Sequence, residues 1–277
     1  MSVEVDAKQA SREAADSTWV EGLGRYGLVA KGISYGLVGV LAAALALSGE
    51  GKATSREGAF EQLAQEGGYG KPLLVALALG FLAYAAWRIV QAIFDRDREG
   101  SDAQALAKRA GYVGRAVIYV ALAIAAFQLL DGTGGGGSSG VEEKSLTAQV
   151  LDYPAGRWLV GLVGLAFIGA ALFNAYRAFT QKFEENWNAG EMSATERTWL
   201  PRLSSLGLLA RFVVFGLIGW FLVKAAWQHD PKEAIGLDGA LQKVIQASYG
   251  TVLLTIVAGG LLCYALFCFA EARYRDV

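Results

Sequence analysis

The chain has 277 residues, of which 54% are hydrophobic and 18% are charged, and its formal net charge is −1. Soluble domains carry about a quarter charged residues, so this composition excludes an ordinary soluble protein. The lack of net positive charge argues against nucleic acid as a partner. One histidine and two cysteines, Cys263 and Cys268, cannot build a metal site or a disulfide framework. The composition therefore predicts an integral membrane protein without a bound metal.

Six apolar stretches are each long enough to cross the hydrocarbon layer of a bilayer, which takes about 20 residues in a helix. They cover residues 27–47, 72–94, 111–130, 157–180, 206–228 and 251–272. They lack the short alternating pattern of barrel strands, so the sequence predicts an all-α membrane protein with six transmembrane helices. Glycines recur inside these spans, and small residues of this kind let helices pack closely within a membrane.

Lysine and arginine residues outside the spans are distributed unequally between the two sides. The N-terminus, the second and fourth connections and the C-terminus carry twelve of them, whereas the other three connections carry seven. Basic connections stay in the cytoplasm, so both termini are predicted to be cytoplasmic. Residues 1–22 are polar with mixed charge and are predicted to be a cytoplasmic segment, because they lack the features of a cleavable signal peptide.

The sequence contains a three-fold internal repeat. Each odd-numbered span begins with a glycine, a base and an aromatic residue at intervals of four. These motifs are Gly27-x3-Lys31-x3-Tyr35, Gly111-x3-Arg115-x3-Tyr119 and Gly207-x3-Arg211-x3-Phe215. The first and third copies align without a net gap, with tyrosines and glutamines identical in register. We therefore predict three repeats of two transmembrane helices each, over residues 23–95, 107–183 and 203–275.

Each repeat crosses the membrane twice, so successive repeats enter it the same way up and can be related by an axis along the membrane normal. A pseudo-three-fold ring of helix pairs is the simplest closed arrangement, and its axis is either a pathway or a packed core. An amphipathic piece near Phe60, Leu146 and Leu241 precedes each second helix, and it is either a short interfacial helix or an extended loop. The glycine-rich stretch 132–140 predicts a flexible outer spacer.

These features together resemble a known family. Three tandem units carry the odd-helix motif, an amphipathic piece and a Gly-[Lys/Arg]-x-Leu start to the second helix, as at Gly70-Lys71 and Gly156-Arg157. The pattern is similar to the bacterial membrane-protein family called domain of unknown function 1206. The resemblance covers about residues 23–275. It implies a repeat architecture in a bacterial cell membrane, with no assigned activity.

Two positions depart from that pattern, both on the even-numbered helices. Thr251 stands where the other repeats have a base. Ala170 stands where the other repeats have Tyr84 and Tyr264. We therefore expect departures from strict three-fold equivalence at the even helices more than at the odd ones.

The strongest candidate binding residues are the bases of the repeated motif with the aromatic residue that follows each of them. They are Lys31, Arg115 and Arg211 with Tyr35, Tyr119 and Phe215. Spacing by four places base and ring on one helix face. One hypothesis is a ring of positive charge near the cytoplasmic mouth that binds an anion or a phospholipid head group. The other is that each base simply extends along its helix to the inner interface.

A second polar column lies near the cytoplasmic ends of the even spans. It consists of Gln91, Arg177 and Glu271. A charge in this setting is normally paired or hydrated, so Glu271 is expected to pair with a base if neighbouring helices touch. The alternative is ordinary interfacial polarity at helix ends.

The sequence offers little for catalysis. It contains no nucleophile elbow, phosphate-binding loop, zinc-protease motif or carboxylate pair within a span, so we predict that it is not an enzyme. One histidine and two methionines also argue against haem, and we predict no cofactor. Two functions stay open: a structural or accessory protein that packs with lipid or envelope partners, or a small channel or transporter. The predicted partners are membrane lipids, including anionic phospholipid, and other membrane proteins.

Cysteine labelling tests the orientation. Single cysteines at Gly100 and Ala189 should react only from the cytoplasm, and one at Ser138 only from outside, because basic connections are retained inside. The measurement is reaction with a membrane-impermeant maleimide in intact cells and in inverted vesicles. Labelling at position 138 only from the inside would reverse the predicted topology.

Overall fold

A computed structural model describes residues 18–48, 56–66, 68–94, 103–132 and 147–275. Most of the polar N-terminal segment and residues 133–140 of the glycine-rich spacer lie outside these ranges. The helices are α1 (Thr18–Ser48), α2 (Arg56–Gln65), α3 (Gly70–Phe94), α4 (Ala103–Leu130), α5 (Gly156–Thr180), α6 (Ala194–Gln228), α7 (Leu237–Ile245) and α8 (Gly250–Tyr274). Six of them, all but α2 and α7, are long and apolar enough to cross a membrane. The prediction of an all-α membrane protein with three tandem two-helix repeats is confirmed.

The odd transmembrane helices begin earlier than the apolar stretches predict. Helices α1, α4 and α6 start at Thr18, Ala103 and Ala194. Hydropathy locates only the part of a helix that lies in hydrocarbon, whereas polar residues of good helix propensity continue it beyond. A capping box fixes the start of α6, because Ser193 accepts a bond from the Glu196 amide while the Glu196 carboxylate accepts one from the Ser193 amide.

The amphipathic pieces of the first and third repeats are helices, in agreement with one of the two interpretations. They form α2 and α7, and residues 147–151 of the second repeat are helical, while Leu146 lies outside the described residues. Phe60 and Leu241 are fully buried and Leu63 is nearly so. These short helices therefore pack into the helix bundle instead of lying flat upon it.

The six long helices pack side by side in a fixed order. Helix α4 packs on α3, α3 on α1, α1 on α8, α8 on α6, and α6 on α5. The first and third repeats are therefore closed pairs, and neighbouring repeats meet through the remaining contacts. Within the described ranges, α4 and α5 of the second repeat do not pack against each other. The ring of repeats thus differs from the simplest closed arrangement at one place, and we call the gap between α4 and α5 the lateral opening.

Close contacts at a glycine hold the two helices together within the first repeat and within the third. A Cβ atom at Gly27 would lie 2.5 Å from the Cβ of Tyr84, and one at Gly207 would lie 2.5 Å from the backbone nitrogen of Tyr264. A residue with a side chain cannot be accommodated at that distance, so glycine is required there. Gly111 is the equivalent residue of the second repeat, and a Cβ atom there would meet nothing within 4 Å.

The even helices show the same difference between the second repeat and the other two. Leu77 and Val257 occupy equivalent positions in α3 and α8, and they are 1% and 6% exposed. Val163 occupies that position in α5 and is 41% exposed. The face that is buried within the first and third repeats is therefore open in the second, in the repeat where Ala170 replaces the tyrosine.

Equivalent glycine substitutions should differ in their effect on stability. Gly27→Val should lower the free energy of unfolding by about 1–3 kcal/mol, because the added carbon atoms overpack the contact with Tyr84. Gly111→Val should leave it nearly unchanged, since its Cβ would enter open space. Thermal unfolding of the two purified variants in the same detergent provides the measurement. Equal destabilisation by both substitutions would contradict the open second repeat.

Candidate functional site

Basic residues from all three repeats converge between the helices, together with two further arginines and four tyrosines. We call this set the central cluster, and it consists of Lys31, Arg56, Arg88, Arg115, Arg211, Tyr35, Tyr84, Tyr119 and Tyr264. The charges of Lys31, Arg56 and Arg211 all act on Tyr35. The charges of Arg88 and Arg211 in turn act on Arg115. The bases predicted from the repeat motif therefore lie close enough together to act on one another.

Lys31 points between helices. The side chain is only 8% exposed, and its ammonium nitrogen lies 5.5 Å from the centre of the Tyr84 ring and 5.3 Å from that of Tyr264. Among the described residues, neither a carboxylate nor a hydrogen-bond acceptor pairs with this ammonium group. Aromatic faces attract a cation by about 0.5–2 kcal/mol, which offsets only part of the cost of burying it. The Lys31 side chain therefore lies between helices and does not extend along its own helix to the interface.

Arg211 is surrounded by aromatic residues from three helices. Its Nη1 donates a hydrogen bond of 2.6 Å to the Tyr264 hydroxyl, and its guanidinium carbon lies 4.4 Å from the Phe215 ring centre. The Tyr35 ring centre is 5.5 Å away. The buried Nε of Arg211 has no hydrogen-bond partner among the described residues. The guanidinium therefore keeps one donor available to a ligand.

Arg88 donates hydrogen bonds to side chains of its own helix, α3. Its Nε and Nη2 donate to the Tyr84 hydroxyl over 3.0 Å and 2.8 Å. Its Nη1 donates to the Gln91 side-chain oxygen over 2.7 Å. Three hydrogen bonds fix this buried guanidinium. Gln91 of the predicted polar column therefore contacts the central cluster through Arg88.

Arg115 differs from the bases of the other two repeats because its side chain is exposed. In the first and third repeats, the base lies over or bonds to the tyrosine of the even helix. The second repeat has Ala170 at that position, and α5 stands away from α4. Arg115 lies four residues after Gly111 on the same helix face, so it stands at the lateral opening. No described carboxylate pairs with it.

The aromatic residues of the motif pack against the preceding repeat. Tyr35 contacts Tyr264 with ring centres 4.7 Å apart, and Tyr119 contacts Tyr84 at 4.4 Å. Phe215 contacts Phe167 at 5.5 Å, where Phe167 lies three residues before Ala170. These ring pairs fill the space between neighbouring repeats. They therefore make the region around the bases a packed interior.

Arg56 is a member of the cluster that sequence reasoning misses. The charge count places it in an outer loop, yet it opens α2, and its guanidinium carbon lies 5.3 Å from the Tyr35 ring centre and 5.8 Å from that of Tyr119. Nothing in the local sequence indicates that α2 would enter the bundle so deeply.

Arg88, Tyr84 and Tyr264 are also absent from the predicted binding set. Two signals in the sequence point to them. The tyrosines are identical between the aligned first and third repeats, and Arg88 is a base one helical turn after Tyr84 inside an apolar span.

The second polar column is partly a buried ion-pair network. Glu271 is 4% exposed, and its oxygens lie 3.6 Å from Arg177 Nη2 and 3.5 Å from Arg275 Nη1. The expected pairing of Glu271 therefore occurs, with Arg177 of α5 and with a base next to the end of its own helix. The Glu271 charge also acts on Lys31 and Arg88. One carboxylate thus faces several bases, and the region keeps an excess of positive charge.

The described part of the chain contains no group of three or more histidine, cysteine or acidic side chains able to hold a metal ion. The site is built from cations and aromatic rings, and such a donor set is suited to anions.

Fold and site together define an all-α membrane protein made of three two-helix repeats around a basic and aromatic cluster. Three segments, residues 26–95, 110–181 and 206–275, match the family described as Domain of Unknown Function (DUF1206). The chain belongs to this family. It is 32% identical over 259 residues to "Uncharacterized protein YxxB" of Bacillus subtilis (strain 168), a match that covers 94% of this chain and 92% of that protein. No solved structure matches the chain.

Removal of the buried carboxylate should be costly. Glu271→Gln leaves the guanidinium groups of Arg177 and Arg275 without their counter-charge, so the free energy of unfolding should fall by roughly 3 kcal/mol. The half-exposed Lys224–Glu233 pair, at 2.8 Å, offers a matched control. Glu233→Gln should cost less than about 1 kcal/mol. Chemical denaturation of both variants measures the difference, and equal costs would show that the Glu271 network contributes no more than a surface pair.

Proposed function

We propose that this protein is a non-enzymatic accessory protein of the bacterial inner membrane that holds a phosphate-bearing anion in its central cluster. The observation that carries the proposal is an imbalance of charge. Lys31, Arg115 and Arg211 lie within one cluster, and none of them is paired with a carboxylate among the described residues. A charge removed from water needs a counter-charge or hydrogen-bond acceptors, and an anionic ligand supplies both.

Phosphate fits the chemistry of these donors better than a simple halide. A guanidinium presents parallel N–H groups that match two oxygens of one phosphate, whereas an ammonium acts as a point charge. Arg115 has an accessible guanidinium, and Arg211 keeps a free buried Nε donor. Lys31 adds positive charge beside them. A tetrahedral anion has enough oxygens to accept hydrogen bonds from several such donors.

An accessory role is favoured over a channel by the packing around the bases. The ring pairs Tyr35–Tyr264 and Tyr84–Tyr119 fill the space between neighbouring repeats. A conducting pathway needs a continuous polar or hydrated route across the bilayer. The cluster instead combines fixed cations with tightly packed rings, which suits retention of a ligand more than its rapid passage.

The position of the bases is consistent with the cytoplasmic leaflet. Each base lies four or five residues inside its apolar span, which corresponds to about 6–8 Å along a helix. The distribution of lysine and arginine between the connections supports cytoplasmic termini. With this orientation Lys31, Arg115 and Arg211 lie just below the inner interface, where phosphate groups of lipids are found and soluble anions can approach, whereas Arg56 reaches the cluster from the outer side.

Anion retention should depend on the three bases of the repeats. The triple variant Lys31→Gln, Arg115→Gln, Arg211→Gln should lose the bound ligand, and Arg115→Lys should weaken it about tenfold, because charge-assisted hydrogen bonds are each worth about 1.5–3 kcal/mol. Native mass spectrometry of protein purified from membranes measures retained phospholipid. Binding of labelled inorganic phosphate to delipidated protein tests the soluble source of the same group.

Lys224→Gln is the matched control, since Lys224 already pairs with Glu233 near the opposite end of α6. It should change neither measurement. If the triple variant retains phospholipid and binds phosphate like the unmodified protein, the central cluster is not the site.

A further inference from the structure

We call the close contact between the odd and the even helix of one repeat a seam. The second repeat keeps the small residues of such a seam, although its two helices stand apart. In the first and third repeats, an alanine of the odd helix meets a glycine of the even helix, Ala30 with Gly80 and Ala210 with Gly260. A Cβ atom added at either glycine would lie 2.3 Å from the alanine Cβ. Each seam therefore has room for one methyl group and no more.

The equivalent residues of the second repeat have exchanged places. Gly114 stands on α4 where the others have alanine, and Ala166 stands on α5 where the others have glycine. The pair still carries a single methyl group, so it satisfies the space limit of a closed seam. Gly111 and Ala170 likewise offer no bulk that would keep the helices apart. In the structure, however, nothing lies within 4 Å of a Cβ position at Gly111 or Gly114.

The lateral opening lies beside the central cluster, because Arg115 belongs to both. Arg115 is accessible at the opening, and its charge acts on Arg88 and Arg211 deeper inside. Lys31, whose charge acts on Tyr84 together with that of Arg115, is more than nine-tenths buried with no hydrogen-bonding or carboxylate partner among the described residues. A molecule that fills both regions must therefore be apolar along the seam and anionic at the bases.

We propose that the lateral opening is the binding groove of one anionic phospholipid, and that α4 and α5 close into a third packed seam when this lipid leaves. The lipid phosphate lies at Arg115 and an acyl chain lies along Gly111 and Gly114. This inference rests on the proposed function and identifies the phosphate donor as a membrane lipid. Lipid binding and seam closure exclude one another, because both occupy the same surface of α4.

Disulfide trapping distinguishes the open seam from the closed one. Gly114→Cys with Ala166→Cys, in a background with Cys263→Ala and Cys268→Ala, should form an intramolecular disulfide only when the two helices approach until the cysteine Cβ atoms are about 4 Å apart, which is slightly wider than a fully closed seam. The protein is reconstituted in nanodiscs of phosphatidylcholine alone or with phosphatidylglycerol, and then oxidised. The disulfide yield should be at least about fivefold lower with phosphatidylglycerol, the lower end of ordinary coupling between two equilibria.

A pair at the closed contact between α5 and α6 provides the control. In Gly161→Cys with Ala226→Cys the two Cβ atoms would lie 3.6 Å apart, which suits a disulfide, so this pair should form its disulfide equally in both lipids. Inorganic phosphate added to the phosphatidylcholine nanodiscs should leave the Gly114–Ala166 yield unchanged. If phosphate lowers the yield as phosphatidylglycerol does, the ligand is a soluble anion and the proposed lipid groove is wrong.

Three other outcomes would overturn the proposal. A disulfide absent in both lipids shows that the seam does not close, and one formed equally in both shows that anionic lipid does not occupy it. Disulfide-linked dimers of the single variant Gly114→Cys would make the opening an interface between two copies.

A second variant does not depend on cysteine chemistry. Gly114→Trp should fold, because its side chain enters open space, and it should reduce retained phosphatidylglycerol by occupying the groove while leaving every base in place. Unchanged retention would contradict the groove. The charge variants of the central cluster test the anion site separately, so a lipid lost by those variants but kept by Gly114→Trp would reject the groove alone.

Discussion

The contact between the odd-helix glycine and the even-helix tyrosine determines how each repeat is organised. In the first repeat the backbone of Tyr84 lies against Gly27, and its ring faces Lys31 one turn further along. In the third repeat Tyr264 lies against Gly207, and its hydroxyl accepts a hydrogen bond from Arg211. A single residue thus closes the helix pair and provides a polar or aromatic partner for the base. Without this partner, a base at this depth would be buried at a large cost in free energy.

The second repeat shows the effect of an alanine at the position of that tyrosine. Ala170 offers neither a ring nor a hydroxyl to Arg115, and α4 packs on the first repeat while α5 packs on the third. The result is an exposed base at a gap in an otherwise packed ring. Three-fold repetition supplies the positive charge, and the departure from it leaves one of the bases exposed.

The bases of the interior outnumber the carboxylates that could balance their charge. Glu271 is shared by Arg177 and Arg275, and its field extends to Lys31 and Arg88. Aromatic rings and tyrosine hydroxyls provide most of the remaining stabilisation of the bases. Such partners lower the cost of burying a cation without neutralising it, so the cluster keeps the capacity to bind an anion.

The sequence alone determined the architecture, because hydropathy and internal repetition depend on local residue types. Long apolar spans must be helical in lipid, and aligned motifs such as Gly27-x3-Lys31 and Gly207-x3-Arg211 reveal the repeats without any knowledge of their packing. The same alignment placed Lys31 and Arg211 among the site residues and marked Ala170 as a departure. The tertiary structure decided which helices touch, that Arg56 reaches the cluster from α2, and that the second repeat is open. Those features depend on competition between alternative helix contacts that are distant in sequence, and local patterns carry no information about which contact is preferred.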